Sequence, residues 1–338
     1  MIHEKGDVEF DDLTDNTENL GPPFELPLPD EGIATLIGKS SEETMEILGT
    51  PNRIEPSLYG YDWWVYQGGS DQYLQVGLED QKVVTAFVMG EEVDVSPFYI
   101  GQSIQEIFRQ ATLSTDIQLE YKGTTYQFEL TEEDLNIRPL VPVGDIYVQL
   151  YFDKYTEELS SIRFMNKETL IKLQPYDLVY RGTLYELAPV AEDKWKAATE
   201  GIEKQIFEMS NVIRERFGLP LLEWDPLTSV VAYEHSKDMH DKQYFSHTSP
   251  EFGELQDRLE AKEVMYEMAG ENIAAQYIDA GAVIEGWINS KGHRETLLQE
   301  EFTHLGVGVY KKYYTQNFLK RSWEVNSEEE NEESEDGQ

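Results

Sequence analysis

The chain has 338 residues, and 40% of them are hydrophobic, which is enough for two packed domains of ordinary size. It carries 66 acidic and 27 basic residues, so its formal net charge is −39 at pH 7. A field of this sign repels phosphate backbones, anionic membranes and anionic wall polymers, so we expect no nucleic-acid partner. The absence of cysteine excludes disulfides, thiol catalysis and cysteine-ligated metals.

The two ends of the chain show no hydrophobic period. Residues 1–31 are acidic and then proline-rich, which predicts a disordered tether, and residues 327–338 predict an acidic disordered tail. No apolar run approaches the ~20 residues of a membrane helix, so we expect no transmembrane segment in this numbering. No signal peptide follows Met1, so the chain is either cytoplasmic or begins after a removed export segment.

An internal repeat organises residues 32–188, which we predict to be one domain. The pattern Ile-Gly-x-Ser occurs at residues 37–40 and again at residues 100–103. In both copies a glutamate follows the serine by three residues, which is the spacing of a helix-capping box. Each copy is therefore expected to open with a short helix.

Strands are predicted after each of these helices. Alternating apolar residues that are rich in aromatic and β-branched types mark segments 61–66, 73–78, 83–89, 147–152 and 159–165. We expect each copy to be a helix followed by an antiparallel meander, an α+β unit. Trp63, Trp64 and Tyr66 either fill the core or an interdomain seam, or they form a ligand-binding face of the sheet.

Residues 189–326 predict a second domain in which helices flank a small antiparallel sheet. A three-to-four-residue apolar period marks a long helix over residues 193–217. Asp225 and Pro226 supply an N-cap and a first-turn proline for the next helix, at 227–239. Shorter helices are expected at 253–261, 280–290 and 292–298, and strands at 305–310 and 313–319.

Three short phrases in this domain carry the candidate chemistry. They are Tyr-Phe-Ser-His at 244–247, Gly-Glu-Asn-Ile-Ala at 270–274, where we expect the chain to turn, and Lys-Gly-His-Arg at 291–294. The two imidazoles and one carboxylate, from His247, His293 and Glu271, suit a divalent metal such as zinc, with one position open for water. No serine-hydrolase elbow, phosphate loop or dinucleotide fingerprint occurs, so we expect no organic cofactor.

The same stretch resembles the CAP superfamily of cysteine-rich secretory, antigen 5 and pathogenesis-related 1 proteins, in a bacterial form. The resemblance rests on FGLPLLEWDPLTSVVAYEHSKDM, YFSHTSP, GENIA, WINSKGHRETLL and THLGVGV, which fall in the family's order over the last third of the chain. Residues 32–188 resemble the CAP-associated domain that precedes CAP modules in bacilli. This second resemblance implies no activity.

The CAP resemblance implies a three-layer α-β-α sandwich and an exported or cell-surface protein of a Gram-positive bacterium, with a possible membrane anchor upstream of residue 1. It matches His247, Glu271 and His293 to two histidines and a glutamate of the family's cleft, which takes a divalent metal in several members. Animal and plant members commonly have a second glutamate three residues after the tryptophan found here at Trp287. This chain has Ser290 there.

Three functions remain open at this stage. The first is a binding protein whose His/Glu cleft holds zinc or another divalent metal and receives an unknown protein or peptide. The second is a metal-dependent, peptidase-like hydrolase with Glu271 as general base, against which the missing carboxylate counts. The third is a lipid or sterol carrier. His235 and Ser290 are possible cleft-edge residues, and the same polar groups can instead be a purely structural network.

Overall fold

The structure, a computed structural model, describes residues 26–321. Residues 1–25 and 322–338 lie outside the described residues, and with them most of the predicted tether and all of the predicted tail. Leu26 is buried and forms a bridge with Val143, so packed structure begins inside the predicted tether, before residue 32.

The first domain is built on one large antiparallel sheet flanked by short helices. Its helices are α1 (Ser41–Leu48), α2 (Ile104–Gln110), α3 (Glu132–Ile137) and α4 (Lys167–Leu173). Its strands are β1 (Arg53–Pro56), β2 (Asp62–Tyr66), β3 (Leu74–Glu79), β4 (Lys82–Val88), β5 (Asp116–Tyr121), β6 (Thr124–Glu129), β7 (Leu140–Val143), β8 (Ile146–Asp153), β9 (Glu158–Met165) and β10 (Asp177–Arg181). In the described part of the chain, seven of them form one sheet in the order β1-β2-β3-β4-β9-β8-β7.

The internal repeat is visible in this sheet, because the two meanders join where β4 pairs with β9. Ser40 caps α1 in a reciprocal capping box with Glu43. Ser103 likewise accepts the Glu106 amide, whereas the Glu106 carboxylate takes the Tyr99 hydroxyl instead. The α+β class is confirmed, with one addition: in the second copy β5 and β6 leave the meander and form a separate sheet with β10. Their alternate residues pack into the core that the two domains share.

The aromatic residues of β2 fill cores on both sides of the sheet. Trp63 belongs to the hydrophobic core shared with the second domain, and Trp64 and Tyr66 belong to the core of the first. All three are at most 9% exposed, so they do not form a free ligand-binding face.

The second domain is a three-layer sandwich, as expected. It contains α5 (Glu192–Arg216), β11 (Glu223–Trp224), α6 (Pro226–Lys242), α7 (Leu255–Glu260), β12 (Met268–Ala275), α8 (Ala280–Ile288), α9 (Lys291–Leu297), β13 (His304–Tyr310) and β14 (Tyr313–Lys320). The strand order is β11-β13-β14-β12. Ser236 of α6 bonds Thr315, and Ser210 of α5 bonds the next residue, Gln316, so these helices lie on opposite faces of the sheet.

The predicted turn at Gly270 and Glu271 is wrong, because both residues lie inside β12, where Glu271 pairs with Asn317. The strand Met-Ala-Gly-Glu-Asn-Ile-Ala-Ala has few β-branched or aromatic residues, so its own propensity for a strand is weak. Its pairing with β14 overrides that preference. A Cβ at Gly270 would lie 2.8 Å from the Phe302 ring, so packing also requires glycine there.

Buried polar contacts join the two domains. Arg163 on β9 meets Asp279, the N-cap of α8, through two 2.7 Å contacts. Arg53 on β1 forms a two-bond ion pair with Glu208 on α5. Since the principal hydrophobic core also runs through both domains, each domain completes the packing of the other.

Candidate functional site

The loop that carries His247 is fixed to the end of α6. The Oδ2 atom of Asp238 accepts the Tyr244 hydroxyl at 2.5 Å and the Ser249 hydroxyl at 2.7 Å. Ser249 also exchanges two backbone hydrogen bonds with Gly253. His247 therefore stands on an anchored loop, with 53% of its side chain exposed.

Glu271 is the centre of the site, and both of its carboxylate oxygens are in use. Its Oε1 lies 2.9 Å from Nδ1 of His247, and its Oε2 accepts a hydrogen bond from Arg258 at 2.5 Å. The Glu271 side chain is 4% exposed. A buried carboxylate with two such partners holds the imidazole of His247 in one orientation and leaves its Nε2 atom directed away from the carboxylate.

Arg258, on α7, was missed in the sequence analysis. Besides Glu271, its guanidinium donates to the backbone oxygens of His247 at 2.8 Å and Gly253 at 2.9 Å. It is buried. The signal that could have found it is its place beside Leu259 on the apolar face of a short predicted helix, where an unpaired arginine would be costly.

His235 lies beneath the site and does not form its edge. It is buried, and burial lowers the pKa of its imidazole to about 4, so the ring is neutral. Its Nε2 is 3.1 Å from the backbone oxygen of Ser246, which makes that nitrogen the donor. The same atom is 3.9 Å from Glu271 Oε1. His235 therefore supports the loop of His247.

His293 approaches from α9, on the other side of β12. The Asn272 amide donates to the backbone oxygen of His293, and because Asn272 follows Glu271 on the strand, the two side chains point to opposite faces. Burial lowers the pKa of His293, and the nearby His247 lowers it further by a smaller amount. The cleft defined by His247, Glu271 and His293, called the His/Glu cleft below, thus crosses the edge strand β12.

The first domain braces α9 without covering His247. Arg294, next to His293, bonds Asp153 at 2.7 Å, and the Asn289 side chain bonds the backbone of Phe152 and Lys154. Ser290 occupies the N-cap position of α9 and makes no side-chain cap hydrogen bond. His304, at the start of β13, is buried against the Thr303 hydroxyl.

The structure therefore brings His247, Glu271 and Arg258 into direct contact and places His293 beside them. Among residues 26–321, no three or more His, Asp or Glu side chains are grouped so that they could hold one metal ion. Direct ligation by Glu271 would displace Arg258 or His247 from the carboxylate. The ligand types present, two imidazoles with a carboxylate behind one of them, are ones that zinc accepts.

Comparison with known proteins identifies both domains. Residues 37–176 match the CAP-associated N-terminal family, and residues 207–320 match the cysteine-rich secretory protein family. The chain is 50% identical over 296 residues to the uncharacterized membrane protein YlbC of Bacillus subtilis. The aligned region covers 88% of this chain and 86% of that protein. No helix within residues 26–321 is long and apolar enough to cross a membrane.

Two solved structures share the whole two-domain arrangement. An extracellular SCP-domain protein from Bacillus anthracis has a TM-score of 0.83 at 46% identity and covers 91% of this chain and 100% of its own. A cysteine-rich secretory protein from Staphylococcus aureus has a TM-score of 0.79 at 29% identity and covers 88% of this chain and 95% of its own. The chain therefore belongs to the cysteine-rich secretory protein, or CAP, family, in the form that carries a CAP-associated N-terminal domain.

Proposed function

We propose that this protein is a non-catalytic binding protein that works outside the cell or at its surface. Its ligand, a protein or peptide, would dock at the His/Glu cleft. The setting is supported by two relatives, one described as extracellular and one as a membrane protein. An anchor upstream of residue 1 would make the two descriptions compatible.

The observation that carries this proposal is that both carboxylate oxygens of Glu271 already have partners within the protein. A general base must have a free oxygen within reach of the proton that it removes. Here Oε1 faces His247 and Oε2 faces Arg258, and the side chain is 4% exposed. Glu271 is therefore suited to orienting His247, and the exposed imidazole is the group that a ligand would meet.

A divalent metal, zinc above all, is part of this proposal. His247 and His293 would hold it, with Glu271 fixing the ring of His247 from behind. An ion bound there would act as a Lewis acid, which polarises a carbonyl or a water molecule. Two imidazoles leave coordination positions that a carbonyl or carboxylate of the ligand can fill.

The alternative is a metal-dependent hydrolase that uses the same cleft. The His247–Glu271 pair favours it, because a carboxylate behind an imidazole is also the arrangement of a general acid–base pair. Ser290 in place of the second glutamate and the engagement of Glu271 by Arg258 count against it.

Zinc titration calorimetry on the metal-free protein tests the proposal. We expect one binding event in the parent and its loss in the His247→Ala, His293→Ala double variant. A His240→Ala variant is the matched control, because this histidine lies on α6 against Tyr310 and Tyr313 and outside the cleft. It should bind zinc as the parent does.

Two results would contradict the proposal. Equal zinc binding by the parent and the double variant, or binding by neither, would remove the metal and leave the cleft as a structural network. Turnover of a peptide or ester library by the zinc-loaded protein, abolished in Glu271→Gln, would establish the hydrolase instead.

A further inference from the structure

A second groove lies between the amino-terminal halves of α5 and α6, at the free edge of β13. Its volume is about 780 Å³. Strand β11 pairs with β13 only at His304 and Leu305 within the described residues, so the outer edge of β13 beyond Leu305 has no strand neighbour there. Side chains cover that edge instead, since Val307 N–H donates to Ser229 and Val309 N–H donates to Glu203.

Glu203 is a half-buried carboxylate that lines this groove. Its Oε1 accepts the Val309 amide at 2.9 Å, and no ion pair to a lysine, arginine or histidine is found for it among the described residues. Burial raises the pKa of Glu203 to about 7, even though the Val309 amide and the charge of Lys204 act in the opposite direction. The second carboxylate oxygen is therefore available to a donor that enters the groove.

The lysines that line the groove are already committed to other carboxylates. Lys311 lies 3.0 Å from Glu192, Lys196 lies 4.0 Å from Glu200, and Lys237 contacts Asp241. None of them neutralises Glu203. The groove thus combines a surplus of negative charge with one carboxylate that forms no ion pair among residues 26–321, although the charge of the adjacent Lys204 acts on it.

Aromatic rings form the walls of the groove, namely Trp195, Tyr233 and Tyr310, all partly exposed. Tyr233 and Tyr310 meet edge to face, with their ring centroids 5.8 Å apart. Ammonium groups already sit over two of these rings. Lys311 Nζ is 4.7 Å from the Trp195 ring, and Lys237 Nζ is 5.3 Å from the Tyr310 ring. Such faces attract cations, and the rings also accept apolar stems.

We propose that this groove is a binding site for a primary ammonium on a short apolar stem, the chemistry of a lysine side chain, with Glu203 as its counterion. The stem would lie between Trp195, Tyr233 and Tyr310, and the ammonium would donate to the free oxygen of Glu203. The site is separate from the His/Glu cleft and does not depend on the function proposed for it. A net charge of −39 draws cations toward the whole molecule, and this groove gives one of them a specific place.

The test is an NMR titration of the full chain with n-butylammonium, following the Val309 amide and the Trp195 indole. We expect saturable shifts at both positions. Glu203→Gln should weaken the affinity about tenfold or more, because a charge-assisted hydrogen bond is lost. The glutamine oxygen can still accept the hydrogen bond from the Val309 amide, so this variant keeps the contact between α5 and the edge of β13.

Two matched controls separate this site from general charge attraction. Glu215→Gln removes the same charge from an exposed position near the other end of α5, outside the groove, and should leave the affinity unchanged. Neutral n-butanol, which has the same stem, should bind far more weakly than the ammonium. Equal weakening by Glu215→Gln, equal binding of n-butanol, or no saturable shift at Val309 and Trp195 would each overturn the proposal.

Discussion

Arg258 is buried and donates hydrogen bonds to three acceptors, so its removal would leave the Glu271 carboxylate without a countercharge. Arg258 donates to Glu271 and to two backbone oxygens, one of them that of His247. The position of His247 therefore depends on a residue that is not itself exposed in the cleft.

We expect Arg258→Met to lower the free energy of unfolding by about 3 kcal/mol or more, because it leaves Glu271 buried without a cation. Urea denaturation measures this loss. Lys262→Met, which breaks the partly exposed pair of Lys262 and Glu234, is the control and should cost at most about 1 kcal/mol. Similar midpoints for the two variants would show that Arg258 does not hold the site together.

Single residues of the cleft were predictable where their neighbours in sequence are distinctive. His247 and His293 stand in short phrases beside loops and helix starts, and both lie at the cleft. The sequence marks Arg258 only by its place on the apolar face of α7. Its partners, and the burial of His235, were not predictable, because they arise from contacts between α6, α7 and β12.

Among the elements, β13 and α6 pack more closely than side chains would allow. An added Cβ at Gly306 would lie 2.4 Å from the Ser229 nitrogen, and one at Gly308 would lie 1.9 Å from the Tyr233 nitrogen. These are backbone atoms of a helix, so neither neighbour can rotate away. The glycines of this strand set the spacing between the sheet and the helix layer.

We expect Gly308→Ala to destabilise the protein by about 3 kcal/mol, since the added methyl group forces the helix away from the sheet. Gly292→Ala is the control, because nothing lies within 4 Å of its added Cβ and it stands inside α9. That change should be neutral or stabilising by up to about 1 kcal/mol. Thermal unfolding of both variants checks the difference, and equal melting temperatures would disprove the packing argument.

Most elements could be predicted because their patterns are local. The apolar period of α5, the Asp-Pro start of α6 and the serine caps of α1 and α2 all appear where the sequence places them. Strand β12 could not be predicted in this way, because it owes its extended form to pairing with β14, a strand far away in the chain. The departure of β5 and β6 to a second sheet likewise depends on distant packing.

At the scale of the whole molecule, a carboxyl group is buried between the domains. Glu285 on α8 accepts hydrogen bonds from Ser160 and Ser161 of the first domain through Oε1. Its Oε2 has no hydrogen-bond partner among the described residues. Burial raises the pKa of Glu285 to about 7, above its ordinary 4.5.

This raised pKa predicts how stability depends on pH. Between about pH 5 and pH 7 the folded chain keeps the proton of Glu285 while the unfolded chain has lost it, so stability falls as pH rises and then levels off. We expect Glu285→Gln to remove this fall and to be more stable than the parent at pH 8, by up to about 3 kcal/mol. The gain should shrink toward pH 5.

Urea denaturation at a series of pH values checks this prediction. Glu203, whose pKa is also raised to about 7, contributes a similar slope to both proteins and cancels in their difference. Glu295→Gln, at an exposed position of α9, is the control and should run parallel to the parent. A gain at pH 8 that persists undiminished at pH 5 would rule out a proton on Glu285 as the cause.

The contacts that the first domain makes with α9 limit how far the CAP domain can be separated from it. Phe152, Asp153 and Lys154, at the end of β8, supply the bonds that hold Asn289 and Arg294 on either side of His293. A CAP domain that is moved to another protein without the β8–β9 hairpin would keep every residue of the His/Glu cleft. It would still lack the contacts that position His293. Transfer of the cleft to another scaffold therefore requires the first domain to travel with it.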